Sequence, residues 1–170
     1  MNQYVMKPMK QLELLEGGME MKKQPRKRVD IVSVKLVKES SLLYDKRTIR
    51  SPEDGYELAK QYLGNVDREY FIVVSLDTKN RPTNITTCHI GNLNSSIVSV
   101  REVFKTAILS NSASIMCFHN HPSQDCTPSS ADIEVTKRLV DAGKIIGIEV
   151  LDHIIVCEND YCSLREKSYI

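Results

Sequence analysis

Three absences narrow the possible functions of this chain before any motif is considered. Its 170 residues contain no apolar run of 18 or more, and the N-terminus lacks the apolar core of a signal peptide. The formal net charge is only +1, so the surface as a whole has no electrostatic preference for nucleic acid or for a membrane. We therefore expect a soluble, cytoplasmic protein without a membrane partner.

The cysteines lack any close pairing along the chain. None of them forms a C-x-x-C pair, and their number is odd. In a chain without an export signal, this pattern predicts free thiols in a reducing compartment. The five residues are Cys88, Cys117, Cys126, Cys157 and Cys162.

The apolar content, 41% of 170 residues, is sufficient for the core of one domain. Residues 1–28 differ from the rest, because Gly17-Gly18 interrupts any helix and Lys22 to Arg28 form a basic run. We predict a flexible basic tail at 1–28 and a single domain at 29–170. The tail could bind nucleic acid or a partner, or it could simply be solvated.

From residue 29 onward, strand patterns and helix patterns follow one another. Apolar and polar residues alternate from Val29 to Val37, which predicts a half-exposed edge strand that could pair across a dimer. The dipeptide Ser51-Pro52 is typical of a helix start, and Gly64 of its end. The turns at 77–82 and 158–160 are short enough to join antiparallel strands. The sequence therefore predicts an α/β fold with a mixed β-sheet flanked by helices.

The stretch from Phe118 to Asp132, FHNHPSQDCTPSSAD, holds the residues on which the functional prediction depends. It follows a short apolar run, residues 113–118, which is typical of a buried strand. If the strand continues to His121, then His119 and His121 point to the same face of the sheet. Their Cβ atoms then lie about 6 to 7 Å apart, so both imidazoles can reach one ion.

A helix start follows the histidines and adds a carboxylate. Pro122 ends the strand because it cannot donate a ladder hydrogen bond. Ser129 is a natural N-cap, and Asp132 lies in the first helical turn, where the helix dipole favours an ionised carboxylate. Gly143 is placed to end this helix.

Together, His119, His121 and Asp132 form the pattern of a catalytic zinc site. Such a site uses three protein ligands and keeps a fourth position for water. The ion lowers the pKa of its water toward about 7 and polarises a carbonyl oxygen, as amide hydrolysis requires. Ser129 could donate its hydroxyl to the oxyanion that develops during the reaction.

Each part of this pattern has an alternative interpretation. A His-x-His pair matches many sequences by accident. Ser129 and Asp132 also fit a simple capping box, in which they only satisfy the helix N-terminus. Cys126 could be a fourth or inhibitory ligand, although a thiolate would close the position that catalysis needs. His153 fits a hydrogen-bonded core residue better than a ligand, with Asp152 as its partner or as a support for the metal.

The same residues resemble a known family. His119-x-His121-Pro122, followed by Ser129 and Asp132, is similar to the signature of JAMM (JAB/MPN) metalloproteases. Residues 119–156 resemble the JAMM domain of bacterial RadC proteins more closely still, and the similarity runs from about Thr48 to the C-terminus. Further matching phrases are DTKNR (77–81), GNLNSSIV (91–98) and REVFKTAI (101–108).

The resemblance implies the JAMM/MPN architecture, which is cytidine-deaminase-like, and a zinc ion held by His119, His121 and Asp132. It also implies a glutamate at the start of a central strand that handles the proton of the attacking water, and Glu69 is in the matching place. From the residues alone, a carboxylate just before the apolar run at 70–74 could be such a general base or a solvated strand end.

The sequence departs from the usual RadC pattern at several positions. Gln124 and Cys126 stand where RadC-like domains usually carry glycine and proline, and Ser99-Val100 replaces a usual His-Pro. The first two alter the turn between the ligands and not the ligands themselves. The helix-hairpin-helix region of longer RadC proteins is not recognisable here, so functions that depend on it do not transfer.

Two functions from different classes follow from this pattern. The first is a zinc metallopeptidase or isopeptidase, in which Glu69 and Ser129 are catalytic and the substrate is a peptide or protein of unknown identity. The second is a non-catalytic RadC-type module that is associated with DNA repair or with a binding partner. The basic tail is the only feature of the sequence that supports this second function. Deamination at a similar zinc site usually needs paired cysteines, which the chain lacks.

Overall fold

The computed structural model describes residues 27–91 and 98–170 of the chain, which divides after Ser33 into two units. In the first unit, residues 27–33 are exposed and have no regular secondary structure. The second unit begins at Val34 and contains all the described helices and strands. Most of the basic tail and most of the phrase GNLNSSIV lie outside the described residues, so the predicted boundary at residue 28 stays a prediction.

The second unit has the predicted α/β architecture. Its described strands form one five-stranded mixed sheet in the order β2-β1-β3-β4-β5, in which β3 and β4 are parallel and the other neighbours antiparallel. The short turns do join antiparallel pairs, β1 with β2 and β4 with β5. Among the described residues, no helix has the length and apolar content to cross a membrane. The elements are α1 (Pro52–Leu63), β1 (Tyr70–Leu76), β2 (Pro82–Ile90), α2 (Val100–Leu109), β3 (Ser114–Asn120), α3 (Ser130–Ile146), β4 (Glu149–Val156) and β5 (Tyr161–Ser163).

The sheet separates two hydrophobic clusters. On one face α1 contributes Leu58 and Ala59, which pack with Phe118 of β3. On the other face α2 and α3 cover β1 and β3, with Phe104 and Leu139 in that cluster. Every residue of β3 is buried, because β3 has a strand on each side and a helical layer on each face. The strand that carries the first histidine is therefore the most enclosed element of the sheet.

Local signals define the helix ends, with one correction. Ser51 caps α1, as predicted. The prediction that Gly143 ends α3 is wrong, because the helix continues to Ile146 and Gly147 adopts the left-handed conformation after it, with φ of 81°. Gly143 is required by packing instead: a Cβ atom there would lie 2.5 Å from the carbonyl oxygen of Ile148.

The predicted edge strand at Val29–Val37 is also wrong. The segment has no strand assignment and no ladder partner within the described residues. Its apolar side chains are exposed, with Val29 at 82% and Val34 at 70%. Alternation gives a segment one apolar side, but a strand forms only where a neighbour exchanges backbone hydrogen bonds with it.

A β-bulge in β4 determines which of its side chains face α3. The register between β3 and β4 slips between Ile115 and Met116, because Leu151 is an extra residue in β4. Such a bulge shifts the alternation of its strand by one position. As a result His153 lies opposite Cys117, on the sheet face that α2 and α3 cover.

Candidate metal centre

The two histidines of the motif lie on the sheet face that α3 covers. His119 is the penultimate residue of β3, and His121 follows directly after the strand ends. Their Nε2 atoms are 2.9 Å apart. The His119 side chain is fully buried, whereas that of His121 keeps 15% of its surface exposed. The structure therefore brings both rings to one point and leaves the outer ring open to solvent.

Asp132 reaches the histidines from the first turn of α3. Its Oδ1 atom is 3.4 Å from Nε2 of His119, and its Oδ2 atom is 3.7 Å from Nε2 of His121. The carboxylate is buried. Among the described residues, these three side chains form a group that could hold a metal ion, with one ligand atom from each within 4.8 Å of the others.

Ser129 forms the capping box with Asp132. Its backbone N–H and its hydroxyl both donate to Oδ2 of Asp132, at 2.8 and 2.6 Å, and its Oγ accepts from the Asp132 N–H at 3.2 Å. The capping alternative is therefore confirmed. It does not compete with the metal interpretation, because the same bonds fix the carboxylate that faces the histidines.

Glu69 precedes β1 and lies opposite His121. The antiparallel register pairs Phe71 with His119, and two further residues along each chain are Glu69 and His121. Glu69 is half-buried. The Asp132 carboxylate, 3.7 Å away, is the main cause that raises the pKa of His121, and the charge of Glu69 adds to it. The structure thus brings the predicted base to the exposed side of the group.

Asn120, between the two histidines, positions this glutamate. Its Oδ1 accepts from the N–H of Tyr70 at 2.8 Å, and its Nδ2 donates to the carbonyl of Arg68 at 3.0 Å. The two bonds hold the backbone on both sides of Glu69. Asn120 is not among the site residues predicted from the sequence. Strand alternation could have indicated its role, because it turns the middle residue of a His-x-His motif away from the ligands.

A buried histidine contacts His119 from the side away from the group. His153 Nε2 is 2.7 Å from Nδ1 of His119, and His153 Nδ1 is 2.5 Å from the hydroxyl oxygen of Thr136. The prediction that His153 is a hydrogen-bonded core residue is confirmed. Thr136 was not predicted, although its position four residues after Asp132 places both side chains on one face of α3.

Asp152 does not support the group. Its carboxylate accepts from the backbone N–H of His153 at 2.7 Å, from that of Arg165 at 3.1 Å and from the hydroxyl of Ser163 at 2.6 Å. It contacts the backbone of His153 and not its ring. The prediction that Asp152 is a hydrogen-bond partner of His153 is therefore confirmed, through the backbone N–H. The alternative that Asp152 supports the metal is wrong, because alternation along β4 sends the two side chains to opposite faces.

The prediction of five free thiols is wrong for one pair. Cys126 and Cys157 form a disulfide, and the other three cysteines are free. The two are 31 positions apart in the sequence, but β3 and β4 are parallel neighbours, so the segments that follow them leave the sheet at the same end. The Cys126 sulfur is thus bonded to Cys157 and is not a member of the ligand group.

Gln124 adds a second connection between the same two segments. Its side-chain oxygen accepts from the N–H of Glu158 at 2.6 Å. It has a φ of 64°, a left-handed conformation that glycine adopts at little cost. Gln124 and Cys126, two of the residues that depart from the usual RadC pattern, therefore both connect the segment between the ligands to the residues that follow β4.

Burial and charge set the protonation of the group. Burial lowers the pKa of His119 well below its usual range and that of His153 to about 4. Burial alone would raise the pKa of Asp132, but the nearby His121 ring, the charge of His119 and the bonds from Ser129 hold it below its usual range. A neutral imidazole and an ionised carboxylate are the forms that bind a metal ion.

Comparison with known proteins assigns the family. The family model for the RadC-like JAB domain matches residues 49–169, most of the chain. The chain belongs to the RadC-like JAB domain family. The resemblance noted in the sequence is thereby confirmed, and the mixed five-stranded sheet with three helices among the described residues agrees with a JAB/MPN fold.

Relatives of this RadC-like JAB domain are similar over about three quarters of the chain. A UPF0758 protein of Geobacillus sp. (strain WCH70) is 51% identical over 132 residues, which cover 77% of the chain and 58% of the relative. Those of Listeria welshimeri and Bacillus cereus (strain G9842) are 54% and 53% identical over 121 and 123 residues, or 71% and 72% of the chain. The chain spans only 54% and 55% of the length of these two.

Proposed function

We propose that this RadC-like JAB domain is a zinc-dependent hydrolase of amide bonds, a metallopeptidase or isopeptidase that acts on a peptide or protein substrate. The observation that carries the proposal is the convergence of His119, His121 and Asp132. Their facing atoms lie 2.9 to 3.7 Å apart, His119 and Asp132 are buried, and the charge of Glu69 acts on His121.

The donor set suits zinc. A tetrahedral zinc ion with bonds of about 2.0 to 2.1 Å places its ligand atoms about 3.3 to 3.4 Å apart. The two Nε2 atoms are 2.9 Å apart, and each has one oxygen of the Asp132 carboxylate nearby, Oδ1 at 3.4 Å from His119 and Oδ2 at 3.7 Å from His121. His121 is also oriented for ligation. Its Nδ1 is 2.6 Å from the carbonyl oxygen of Asp125, which can only accept, so Nδ1 carries a proton and Nε2 is the nitrogen available to an ion.

The chain's own residues supply the remaining steps. When bound, zinc lowers the pKa of a water molecule and polarises the carbonyl group of the substrate. Glu69 takes the proton of the attacking water and delivers it to the leaving amine. The Ser129 hydroxyl, which donates to Oδ2 of Asp132, turns to donate to the developing oxyanion. The substrate approaches beside His121, whose side chain is the exposed member of the group.

Metal content tests the first half of the proposal. The purified protein should contain close to one zinc ion per chain by elemental analysis, which also identifies any other metal. His121→Ala should lose that zinc because only two ligands remain. A His121→Ala protein with full zinc content and full activity would remove the proposal. If the wild-type protein bound no metal, the short distances within the group would instead be explained by a proton on His121 that is shared with Asp132.

A cleavage screen with peptides and isopeptide-linked peptides tests the second half. Glu69→Gln should keep the zinc and lower the cleavage rate at least about 100-fold, because proton transfer by a positioned side chain contributes that much or more. Glu57→Gln is the matched control, since Glu57 is exposed on α1, across the sheet from the group. A biological effect that survives in Glu69→Gln would favour the non-catalytic RadC-type role.

A further inference from the structure

Four buried residues are joined by three hydrogen bonds that run from the backbone carbonyl of Asp132 to His119, whose other ring nitrogen faces the Asp132 carboxylate. The Thr136 hydroxyl is 2.6 Å from the Asp132 carbonyl oxygen and 2.5 Å from Nδ1 of His153. His153 Nε2 is 2.7 Å from Nδ1 of His119, and His119 Nε2 faces the Asp132 carboxylate. The exposed fraction is 4% or less for each of the four residues, so water does not exchange with these bonds.

The direction of the first two bonds follows from the atoms involved. A carbonyl oxygen only accepts, so the Thr136 hydroxyl donates its single proton to Asp132. Toward His153 the same hydroxyl can then only accept. His153 therefore carries a proton on Nδ1.

The remaining nitrogen of His153 is unprotonated. Both ring nitrogens are occupied by Thr136 and His119, and no carboxylate of the described residues hydrogen-bonds to the ring. A second proton would place an unpaired positive charge in the interior, which is strongly unfavourable. Nε2 of His153 therefore accepts from an N–H on Nδ1 of His119. A neutral His119 then has its lone pair on Nε2, directed at His121 and Asp132.

We propose that His153, together with Thr136, is a positioning residue that fixes His119 in the tautomer whose Nε2 binds the metal ion. A neutral imidazole has two tautomers, and the one protonated on Nε2 cannot be a ligand through that atom. Holding the ring in the other tautomer removes this competition and orients the lone pair. This inference rests on the proposed function, because it assumes that His119 binds a metal ion.

Two further features keep both rings in place. Phe71 lies against them, stacked on His119 with ring centroids 6.4 Å apart and edge-on to His153 at 5.3 Å. The bulge at Leu151 is the reason that His153 faces His119 at all, because regular alternation from Val150 would turn its ring toward α1. The irregularity of β4 thus has a specific effect at the group.

Three variants separate positioning from packing. Thr136→Val has nearly the same shape but removes the acceptor for His153, and His153→Leu removes both hydrogen-bonding nitrogens. His153→Gln can restore both bonds through its amide oxygen and amide nitrogen. Ser163→Ala is the matched control, because it removes a buried hydroxyl bond to Asp152 on the other side of β4.

Zinc affinity, measured against a chelating zinc indicator, is the first readout. We expect Thr136→Val and His153→Leu to bind zinc about 10 to 100 times more weakly, as for other residues that support metal ligands. His153→Gln should recover most of the affinity, and Ser163→Ala should leave it unchanged. Wild-type affinity in both Thr136→Val and His153→Leu would overturn the inference and leave the proposed function standing.

The tautomer itself is the second readout and needs no metal. Long-range proton–nitrogen NMR spectra of the metal-free protein show which nitrogen of His119 is protonated. We expect Nδ1 in the wild type and a mixture in Thr136→Val, which stays informative if His153→Leu does not fold. A proton on Nε2 of wild-type His119 would overturn the inference. A wild type that has the expected tautomer but binds no zinc would instead contradict the proposed function.

Discussion

Two buried polar networks begin at neighbouring residues of β4, Asp152 and His153. They differ in whether protein groups satisfy all of their hydrogen-bond acceptors. On one side Asp152 accepts three hydrogen bonds from protein donors. On the other side His153 leads to His119, whose Nε2 faces the acceptor atoms of His121 and Asp132. We call the first network closed, because protein donors satisfy its acceptor. We call the second network open, because it ends in lone pairs that only a proton or a cation can satisfy.

The contrast shows that burial of a charged or titratable side chain is not by itself a sign of function. Burial raises the pKa of Asp152 and lowers that of His153, so perturbed titration occurs in both networks. The distinguishing property is the balance of donors and acceptors. Where buried acceptors converge without enough donors, the missing partner has to come from outside the chain.

Asp132→Asn should produce the largest effect, on the open network alone. The variant keeps the shape of the side chain but loses the ligand charge, so zinc affinity should fall more than about 100-fold, beyond the usual effect of a supporting residue. With free zinc at about 100 times its wild-type dissociation constant, the wild type should gain about 2.7 kcal/mol of stability and the variant almost none. Thermal melts with and without zinc measure the difference. Asp152→Asn should retain the full gain, and an equal loss there would contradict the comparison.

Asp152→Ala should weaken the fold without affecting the open network. It leaves the backbone N–H groups of His153 and Arg165 and the Ser163 hydroxyl without their acceptor. The free energy of unfolding should fall by about 2 to 4 kcal/mol, as for other buried charged acceptors that are removed. Urea denaturation of the metal-free protein measures this loss. Zinc affinity of the folded fraction should match the wild type, and a large decrease would show that the networks are coupled.

Acid should destabilise the metal-free protein through the open network. The pKa of His153 falls from 6.5 to about 4 on folding because of burial, so between these values the unfolded chain binds a proton that the folded chain does not. Stability is therefore lost as the pH falls from 6.5 toward 4, by at most roughly 3.5 kcal/mol at about 1.4 kcal/mol per pKa unit. The lowered pKa of His119 acts in the same direction, and the raised pKa of His121 opposes it.

Urea midpoints at several pH values, with a chelator present, test this expectation. The wild-type midpoint should decrease across the interval, and His153→Leu should lose part of that dependence because the titrating ring is absent. A wild-type midpoint that stays constant between pH 6.5 and 4.5 would contradict the assigned cause.

The smallest effect is expected at Gln124, an exposed residue three positions after His121. Gln124→Gly relieves the left-handed backbone but loses the bond to Glu158, two effects of about 1 kcal/mol that nearly cancel. Gln124→Ala loses the bond and keeps the unfavourable backbone, so it should lower the free energy of unfolding by about 1 kcal/mol or more. Chemical denaturation of both variants provides the measurement. Equal stability of the two would show that the backbone conformation contributes nothing.

The parts of the molecule that depend on local pattern were predictable from the sequence. The spacing of His119 and His121 gives their common face directly, since strand alternation is a property of the backbone. The cap at Ser129 and the position of Asp132 likewise follow from short-range helix chemistry. The mixed sheet followed from turns too short for any connection other than an antiparallel one.

The parts that depend on tertiary contact were not predictable. No local signal marks the bulge at Leu151, so the facing of His153 could not be derived from alternation alone. The Cys126–Cys157 disulfide needs the parallel pairing of β3 with β4, which only the assembled sheet provides. The segment Val29–Val37 has the pattern of a strand, but it has no ladder partner among residues 27–91 and 98–170.

Asn120 has a mechanical consequence. Because its amide joins the end of β3 to the backbone around Glu69, the histidines and the glutamate must move together as long as both bonds hold. Their separation then varies less than the position of either one. In the proposed hydrolase, the middle residue of the His-x-His motif would act as a spacer between the metal ligands and the general base.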